Sequence, residues 1–391
     1  MNKSMIAGVG MVKFAKPGQH PSYREMASEA IRSALNDAGL SSDQVEQVFA
    51  SFIFEGSGSG QHAVYDVFQN GIPIVNLNNA CASGSSGLYL ARQLTESGAA
   101  HCVLVVGFDE MPQGAIPQDL PTEMVGRRIE AVLDNMAYET SEYGDVLRWF
   151  GAAGLEYMKE FSATPDLFAK IAVKNRTHAA NNPLAVFTSP ITEEQVLEAT
   201  PLYGNYMTKF MACPPTSGAA AAVVVSSEFA KTHGLKNCIE IVAQSMATDT
   251  EKSWSNAVNA CGADNTSRAA AAVYEQSGLS PSDIDVIELH DCFTTNEAIS
   301  YEGLQLCAPG GATDLVNSGD VTYGGKWVVN PSGGLMSKGH PVGATGLAQC
   351  CELSWHLRGI AGTRQVKGAT TALQHNIGLV GAAVVTLYRR A

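Results

Sequence analysis

Along this chain short apolar runs alternate with longer stretches of helical spacing, and the same series of elements occurs twice. "SEAIRSALND" (28–37) and "SRAAAAVYEQ" (267–276) are alanine-rich stretches that read as helices. Each leads through a glycine and a polar turn into a short apolar strand, within "AGLSSDQVEQVFAS" (38–51) and "SGLSPSDIDVIELH" (277–290). Glycine ends such a helix because it takes a left-handed backbone without a Cβ clash. Laying Gly39 on Gly278 aligns the two segments throughout.

A second match lays "CASGSSGL" (81–88) on "HPVGATGL" (340–347), with Cys81 over His340, Gly84 over Gly343 and Gly87 over Gly346. A third lays "GAAAAVVV" (218–225) on "GAAVVTLY" (381–388), both reading as buried strands. From Leu88 to Gly218 is 130 residues, from Leu347 to Gly381 only 34. The first half therefore carries about 96 extra residues, as loosely bounded as elements read from sequence are. They fall in roughly 116–206, which holds the polar "PQDLPTEMVGRRIE" and the helical "TPDLFAKIAVKNRTHAA". An insertion of this length reads as a lid or a binding wall. The pattern predicts an α/β fold of two pseudo-symmetric layered halves, residues 1–240 and 241–391, with the insertion in the first. Equivalent positions can then face each other across the pseudo-twofold axis.

Composition narrows the function classes. The chain has 391 residues, 45% hydrophobic and 16% charged, which is ordinary for a well-cored protein. A formal net charge of −13 argues against nucleic acid or an anionic membrane as the main partner. No apolar run approaches the roughly 18–20 residues of a membrane span. The opening "MNKSMIAGVGMVKFAK" lacks a long apolar core and a cleavage site, and reads as a first strand. The nine cysteines form no CxxC pair, which favours a reducing compartment over a disulfide framework. His290 and Cys292 could be two metal ligands, but no second pair accompanies them, so no metal is expected.

Four segments carry candidate chemistry. In "NLNNACASGSSGLYLARQL" (76–94), Cys81 sits where a turn at Asn78–Asn79 enters a helix near Ala82. The helix N-terminus would lower the thiol pKa and favour the thiolate. A buried structural cysteine is the ordinary alternative, and the match to His340 favours function. His340 lies on the matching turn of "NPSGGLMSKGHPVGATGLAQCCELSWHL" (330–357). There a neutral imidazole could take a thiol proton or donate to an oxyanion, or simply cap a helix. In "ELHDCFTTNEA" (288–298), His290 and Cys292 point to one side of an extended chain and could form an acid/base pair, with Asp291 turned away or holding the loop. A histidine satisfied in a turn beside a half-buried cysteine is the competing reading. In "ALQHNIGLVGAAVVTLY" (372–388), His375 and Asn376 precede a glycine turn whose N–H groups near Gly378 could bind an anion, unless His375 belongs to the core. Arg127, Arg128, Arg148, Lys170, Lys174 and Arg176 lie in the insertion; they could meet phosphates or form a solvated helix face.

Together these segments resemble the thiolase superfamily over essentially the whole chain. Cys81 falls where thiolases carry the nucleophile, and "GHPVGATG" is similar to the thiolase histidine motif. "HDCF" (290–293) stands where most thiolases have Asn-Glu-Ala-Phe, and "HNIG" (375–378) where most have Cys-x-Gly. Both departures, with "VIELHDCF", "TYGGKW" and "ALQHNIG", resemble the sterol carrier protein 2 (SCP2)-type thiolases. "CPPTSGAAA" departs from related sequences, which tend to have an Asp before the Gly.

The resemblance implies the thiolase fold (αβαβα) and a 3-ketoacyl-CoA thiolase that yields acyl-CoA and acetyl-CoA through acyl-Cys81. It implies that Cys292 supplies the thiol missing from Cys-x-Gly, and that His340 and a water held by His290 meet the enolate oxygen. His375 would support that wall, and the N–H groups of Cys81 and of the Asn376–Gly378 turn would hold the tetrahedral oxyanion. Arg148, Lys174 and Arg176 are the candidate substrate cations. No cofactor is expected beyond coenzyme A as co-substrate, and the partners implied are acyl-CoA, CoA and a second copy, as a homodimer or a dimer of dimers. No lipid-carrier domain is expected after "TLYRRA". A bacterial cytoplasm is the expected location, or a peroxisome or mitochondrion for a eukaryotic chain. Two alternatives are a non-thiolytic partner subunit of a steroid side-chain aldolase or lipid-binding protein, and a β-ketoacyl synthase-type condensing enzyme. Retained Cys81, Cys292 and His340 weigh against the first, and "HDCF" against the second.

Overall fold

The repeat in the sequence becomes a repeat in space. The computed structural model describes residues 2–112, 123–379 and 381–391, with backbone only for 123–126. Its strands are β1 (Ser4–Met11), β2 (Gln47–Ser51), β3 (Ile74–Leu77), β4 (Cys102–Asp109), β5 (Pro201–Tyr203), β6 (Met207–Thr208), β7 (Gly218–Ser226), β8 (Ile239–Ala247), β9 (Val286–Glu288), β10 (Val328–Val329), β11 (Thr371–Gly378) and β12 (Ala382–Arg390). β5 and β6 form a small hairpin. The other ten make one sheet in the order β3-β2-β4-β7-β1-β8-β12-β11-β9-β10.

That order reads the same from either end. β3, β2, β4, β7 and β1 correspond to β10, β9, β11, β12 and β8. In each half the outer pairs are parallel and the inner two antiparallel. The halves meet where Met5 pairs with Glu240 and Ile6 with Ile239, so the pseudo-twofold axis passes between β1 and β8.

The helices follow the same rule. Tyr23–Ala38 and Ala263–Ser277 each bury one stripe, Met26, Ala27, Ala30, Ile31 and Ala34 in the first, Ala269, Ala270, Val273 and Tyr274 in the second. They cover the outer faces of their own halves. They end alike, at Gly39 with φ 68° and Gly278 with φ 67°. Ser83–Ser97 and Thr345–Arg358 instead lie between the halves, touching each other and strands of both. The result is helix, sheet, helix, sheet, helix, with the two sheet layers joined through β1 and β8.

Only very small residues allow that centre to close. A Cβ on Gly346 would lie 2.2 Å from Ser85 Oγ, and one on Gly84 2.9 Å from the Gly343 carbonyl oxygen. On β4, a Cβ on Gly107 would meet the same Gly343 oxygen at 2.2 Å.

The insertion lies between β4 and β7, where β11 and β12 are joined by only a few residues. The start of its expected range, including residues 117–122 of "PQDLPTEMVGRRIE", lies outside the described residues. Its described helices include Asp145–Phe161 and Pro165–Ala179. It belongs by sequence to the first half but shares a core with the second. Phe150 stacks on Phe293 at 4.6 Å, the Ala257 N–H donates to Glu156 at 2.8 Å, and the Tyr157 hydroxyl donates to Glu302. The insertion therefore roofs the HDCF segment. Among the described residues no helix is long and apolar enough to cross a membrane.

Because a backbone oxygen opposes it, Gly107→Ala should cost about 1–3 kcal/mol, as overpacking of a tight core does. Gly56→Ala, where a Cβ meets nothing within 4 Å, should be close to neutral. Denaturant unfolding of the two variants against the wild type checks this.

Candidate active site

Cys81 is placed by a turn that its neighbours over-determine. Ala80 takes a left-handed φ of 47°, which costs energy for a residue with a Cβ. The turn is held because the Asn79 N–H donates to Ser83 Oγ at 2.7 Å, and that hydroxyl donates to the Ala80 carbonyl at 2.6 Å. The Asn79 side-chain amide donates to Ser86 Oγ at 2.9 Å. Cys81 is left half-buried just before the helix Ser83–Ser97.

Across the axis the matching turn carries His340. Its backbone N–H donates to Thr216 Oγ1 at 2.5 Å, and its ring Nδ1 lies 2.7 Å from Thr345 Oγ1. The turn is tied down by Asp109, buried at the end of β4, which accepts from the Gly343 N–H and from Ile53 and Phe54 at 2.9 and 3.0 Å. Burial raises the Asp109 carboxyl to about 7 despite those three bonds.

The HDCF segment supplies the third side. Donor atoms of Cys81, His290 and His340 lie within 4.8 Å of one another, and the two rings meet edge-on with centroids 5.1 Å apart. These three residues, rather than the pair His290 and Cys292, are the described group whose composition could hold a soft metal ion. Cys292 is buried beside them: its thiol is pushed well up by burial and by the thiols of Cys213 and Cys81. Asp291 turns away, accepting from the Leu335 N–H at 2.7 Å and from Asn175 Nδ2 at 2.9 Å, and so holds the loop. β11 closes the pocket. A Cβ on Gly378 would lie 2.0 Å from the Asn79 carbonyl oxygen, so only glycine lets this strand reach the Cys81 turn.

Several expectations need correction. The helix N-terminus was expected to favour the Cys81 thiolate, yet burial and Asp109 push this thiol up to about 12. Removal from water works against the helix-end field and favours the neutral thiol. The imidazoles are neutral too, held down by burial: His340 to about 3, with help from Lys338, and His290 well below the usual range, with help from His340 and His375. His375 is buried with both ring nitrogens occupied: Nε2 lies 2.9 Å from Thr266 Oγ1, and Nδ1 faces the His290 N–H at 3.5 Å. It braces His290. Asn376 lies in the β11–β12 ladder opposite Val384 and contributes its side chain, whose Nδ2 is 2.9 Å from His290 Nδ1.

Two of the three candidate substrate cations are spent inside the protein. Arg148 is buried against Glu130, Asp134 and the carbonyls of Tyr138 and Glu139. Lys174 is buried in an ion pair with Glu297 and bonds the Val329 carbonyl at 3.3 Å. Arg176 remains: half-buried, its guanidinium lies 5.1 Å from the Phe187 ring and 5.9 Å from Phe210, and its Nε donates to Ser337 Oγ at 3.3 Å.

Other site residues escaped the sequence reading. Thr345 and Ser85 lie inside the quoted motifs, so their spacing from His340 and Cys81 was a usable signal. Thr216 and Cys213, whose N–H donates to the Cys292 carbonyl at 2.8 Å, lie in "CPPTSGAAA" (213–221), and Asp109 alone had no such signal.

Known proteins share this fold and sequence. The profile of the thiolase N-terminal domain matches residues 5–201, and that of the thiolase C-terminal domain-like family matches 245–389. Sterol carrier protein 2 of Bos taurus is 47% identical over 395 residues, covering 99% of this chain and 72% of that protein. Benzoylsuccinyl-CoA thiolase subunit BbsB of Thauera aromatica is 33% identical over 356 residues, covering 89% and 87%. The solved structure of an Ltp2-ChsH2(DUF35) aldolase shares the fold, with a TM-score of 0.84 at 23% identity, covering 99% of this chain and 98% of that one. The chain belongs to the thiolase family, on its sterol carrier protein 2 branch, and is an acyltransferase of the 3-ketoacyl-CoA thiolase class.

Proposed function

We propose that Cys81 is the nucleophile of this thiolase and that Cys292 is its second, acid/base thiol. The reading is carried by one observation: the Cys81 thiol and the imidazoles of His290 and His340 converge within 4.8 Å, with Cys292 buried two residues along from His290. His340 takes the Cys81 proton as the sulfur attacks the 3-keto carbon. Because thiol and imidazole are both neutral at rest, proton transfer accompanies attack instead of preceding it. The C2–C3 bond then breaks, and its electron pair passes into an acetyl-CoA enolate. His290 and the protonated His340 donate to the enolate oxygen, and Cys292 delivers its proton to C2. In the second half CoA gives its thiol proton to the Cys292 thiolate and attacks the acyl group. Cys81 leaves and recovers its proton from His340. The N–H groups of Cys81 and Gly378, on backbones that touch, hold the tetrahedral oxyanion.

Arg176 is the substrate cation this reading keeps, and its two phenyl rings offer a face to the CoA nucleotide. β3 supports a homodimer: it is a sheet edge with Val75 exposed, and a free edge invites pairing with a second copy. Nine free thiols support a reducing, cytoplasmic compartment, and the cleavage direction fits fatty-acid β-oxidation.

Thiolysis of acetoacetyl-CoA and of a medium-chain 3-ketoacyl-CoA should be detectable in the wild type and fall about 10²–10⁴-fold in Cys292→Ser, the usual worth of an acid/base group. In Cys81→Ala no acyl adduct should be found by mass spectrometry; a persisting adduct would remove Cys81 from the role. Alkylation of Cys81 by iodoacetamide should be slow at pH 7 and rise steadily to beyond pH 10, since its folded pKa is raised. A rate plateau between pH 6 and 9 would instead mean a resting thiolate. Arg176→Met should raise KM for CoA and leave turnover of an acyl-pantetheine substrate unaffected.

A further inference from the structure

Two neutral imidazoles of one kind face the same thiol, and nothing in the rings themselves says which accepts a proton and which donates one. The hydrogen bonds behind them do. We propose that Thr345 and Asn376 are positioning residues that lock the two rings in opposite tautomers, leaving a lone pair on Nε2 of His340 and a proton on Nε2 of His290. This rests on the thiolase reading above and adds to it what makes one histidine the base and the other the oxyanion donor.

For His340 a single hydrogen decides the tautomer. Thr345 Oγ1 lies 2.8 Å from the Pro341 carbonyl oxygen and 2.7 Å from His340 Nδ1. A carbonyl oxygen only accepts, so the hydroxyl hydrogen goes to Pro341. Were it turned to the ring instead, two oxygens would face each other at 2.8 Å with no hydrogen between them. The hydroxyl oxygen is left as an acceptor, Nδ1 must carry the proton, and Nε2 is free to take one from Cys81. The first half makes the same bond without a histidine: at the equivalent position, Ser86 Oγ donates to the Ala82 carbonyl at 3.0 Å. The helix start is thus a shared device, and the second half uses its hydroxyl oxygen to orient a base.

For His290 the order runs through four residues. The Gly346 carbonyl oxygen, again acceptor-only, lies 2.7 Å from the Gln374 side chain and identifies that atom as Nε2. The same nitrogen donates to Ser85 Oγ at 2.9 Å. The Ser85 hydroxyl then donates to Asn376 Oδ1 at 2.8 Å, which turns Asn376 Nδ2 towards His290 Nδ1 at 2.9 Å. Flipping Asn376 would make Ser85 accept twice and leave its hydrogen without a partner in a fully buried site. An amide nitrogen can only donate, so His290 Nδ1 is a lone pair and Nε2 carries the proton. Both rings are neutral at rest, so the tautomer decides their chemistry.

Neutron diffraction from deuterium-exchanged crystals near pH 7 reads these positions directly. Deuterium is expected on Nδ1 of His340 and on Nε2 of His290; deuterium on Nε2 of His340 or Nδ1 of His290 would overturn the proposal. In Asn376→Asp, which can only accept, the same map should place a proton on His290 Nδ1, and its absence there would remove Asn376 from the role. Kinetics supply a second arm. Thr345→Val should lose about 10–100-fold in kcat with KM little changed, the scale on which partners that orient a metal-bound histidine act. Thr345→Ser should restore it. A folded Thr345→Val enzyme with wild-type kcat would count against Thr345. Proton positions are read without turnover, so a working thiolase with other tautomers overturns this proposal alone. The expected tautomers in an enzyme that performs no thiolysis overturn the reaction alone.

Discussion

The site depends on two helix starts approaching to backbone contact. Ser83–Ser97 and Thr345–Arg358 can cross where they do only because Gly84 and Gly346 present no side chain to each other's turns. Gly107 lets β4 press on the same Gly343 carbonyl that Gly84 touches. With the helices so close, the residues at their N-termini, Cys81 and His340, must face each other across the pseudo-twofold axis. Gly378 repeats the constraint from the side, where β11 touches the Cys81 turn. Packing density rather than any single strong bond fixes the distances among the reacting groups.

Closure of this kind takes the site out of water, and the electrostatics follow. Burial raises the thiols and lowers the imidazoles, which favours the uncharged forms and leaves hydrogen-bond direction as the proposed difference between the two rings. The buried acids and bases lie one layer back and are used structurally. Asp291 holds the start of the helix Gly334–Ser337, Glu297 pairs with Lys174, and Lys338 lies 3.5 Å from Glu288 in full burial. Buried pairs of this type contribute little net stability, and breaking one leaves an uncompensated charge. Their evident effect here is to keep the HDCF loop and the GHPVG turn in one arrangement beneath the insertion.

Much of this was legible beforehand. The internal matches located both outer helices, the paired turn–helix units and the position of the insertion, because a duplicated fold repeats the same cap and turn chemistry at equivalent places. The motifs around Cys81, His290, Cys292 and His340 brought forward residues that the fold does assemble. Arg148 and Lys174 read as candidate substrate cations because a basic side chain in a helix gives no sign of its partners. Glu297 is 123 residues from Lys174, and only the packing of the insertion on the second half brings them together.

The sequence by itself determined the duplication, the α/β layering and the residue types available for acyl transfer, since periodicity, turn residues and motif spacing are local properties. The tertiary structure decided what state those residues are in. Whether Cys81 rests as thiol or thiolate, which imidazole accepts and which donates, and which cations remain free all depend on burial and on partners distant in the chain. Solvation and hydrogen-bond direction are properties of an environment, and that environment exists only once the two halves and the insertion have closed around the site.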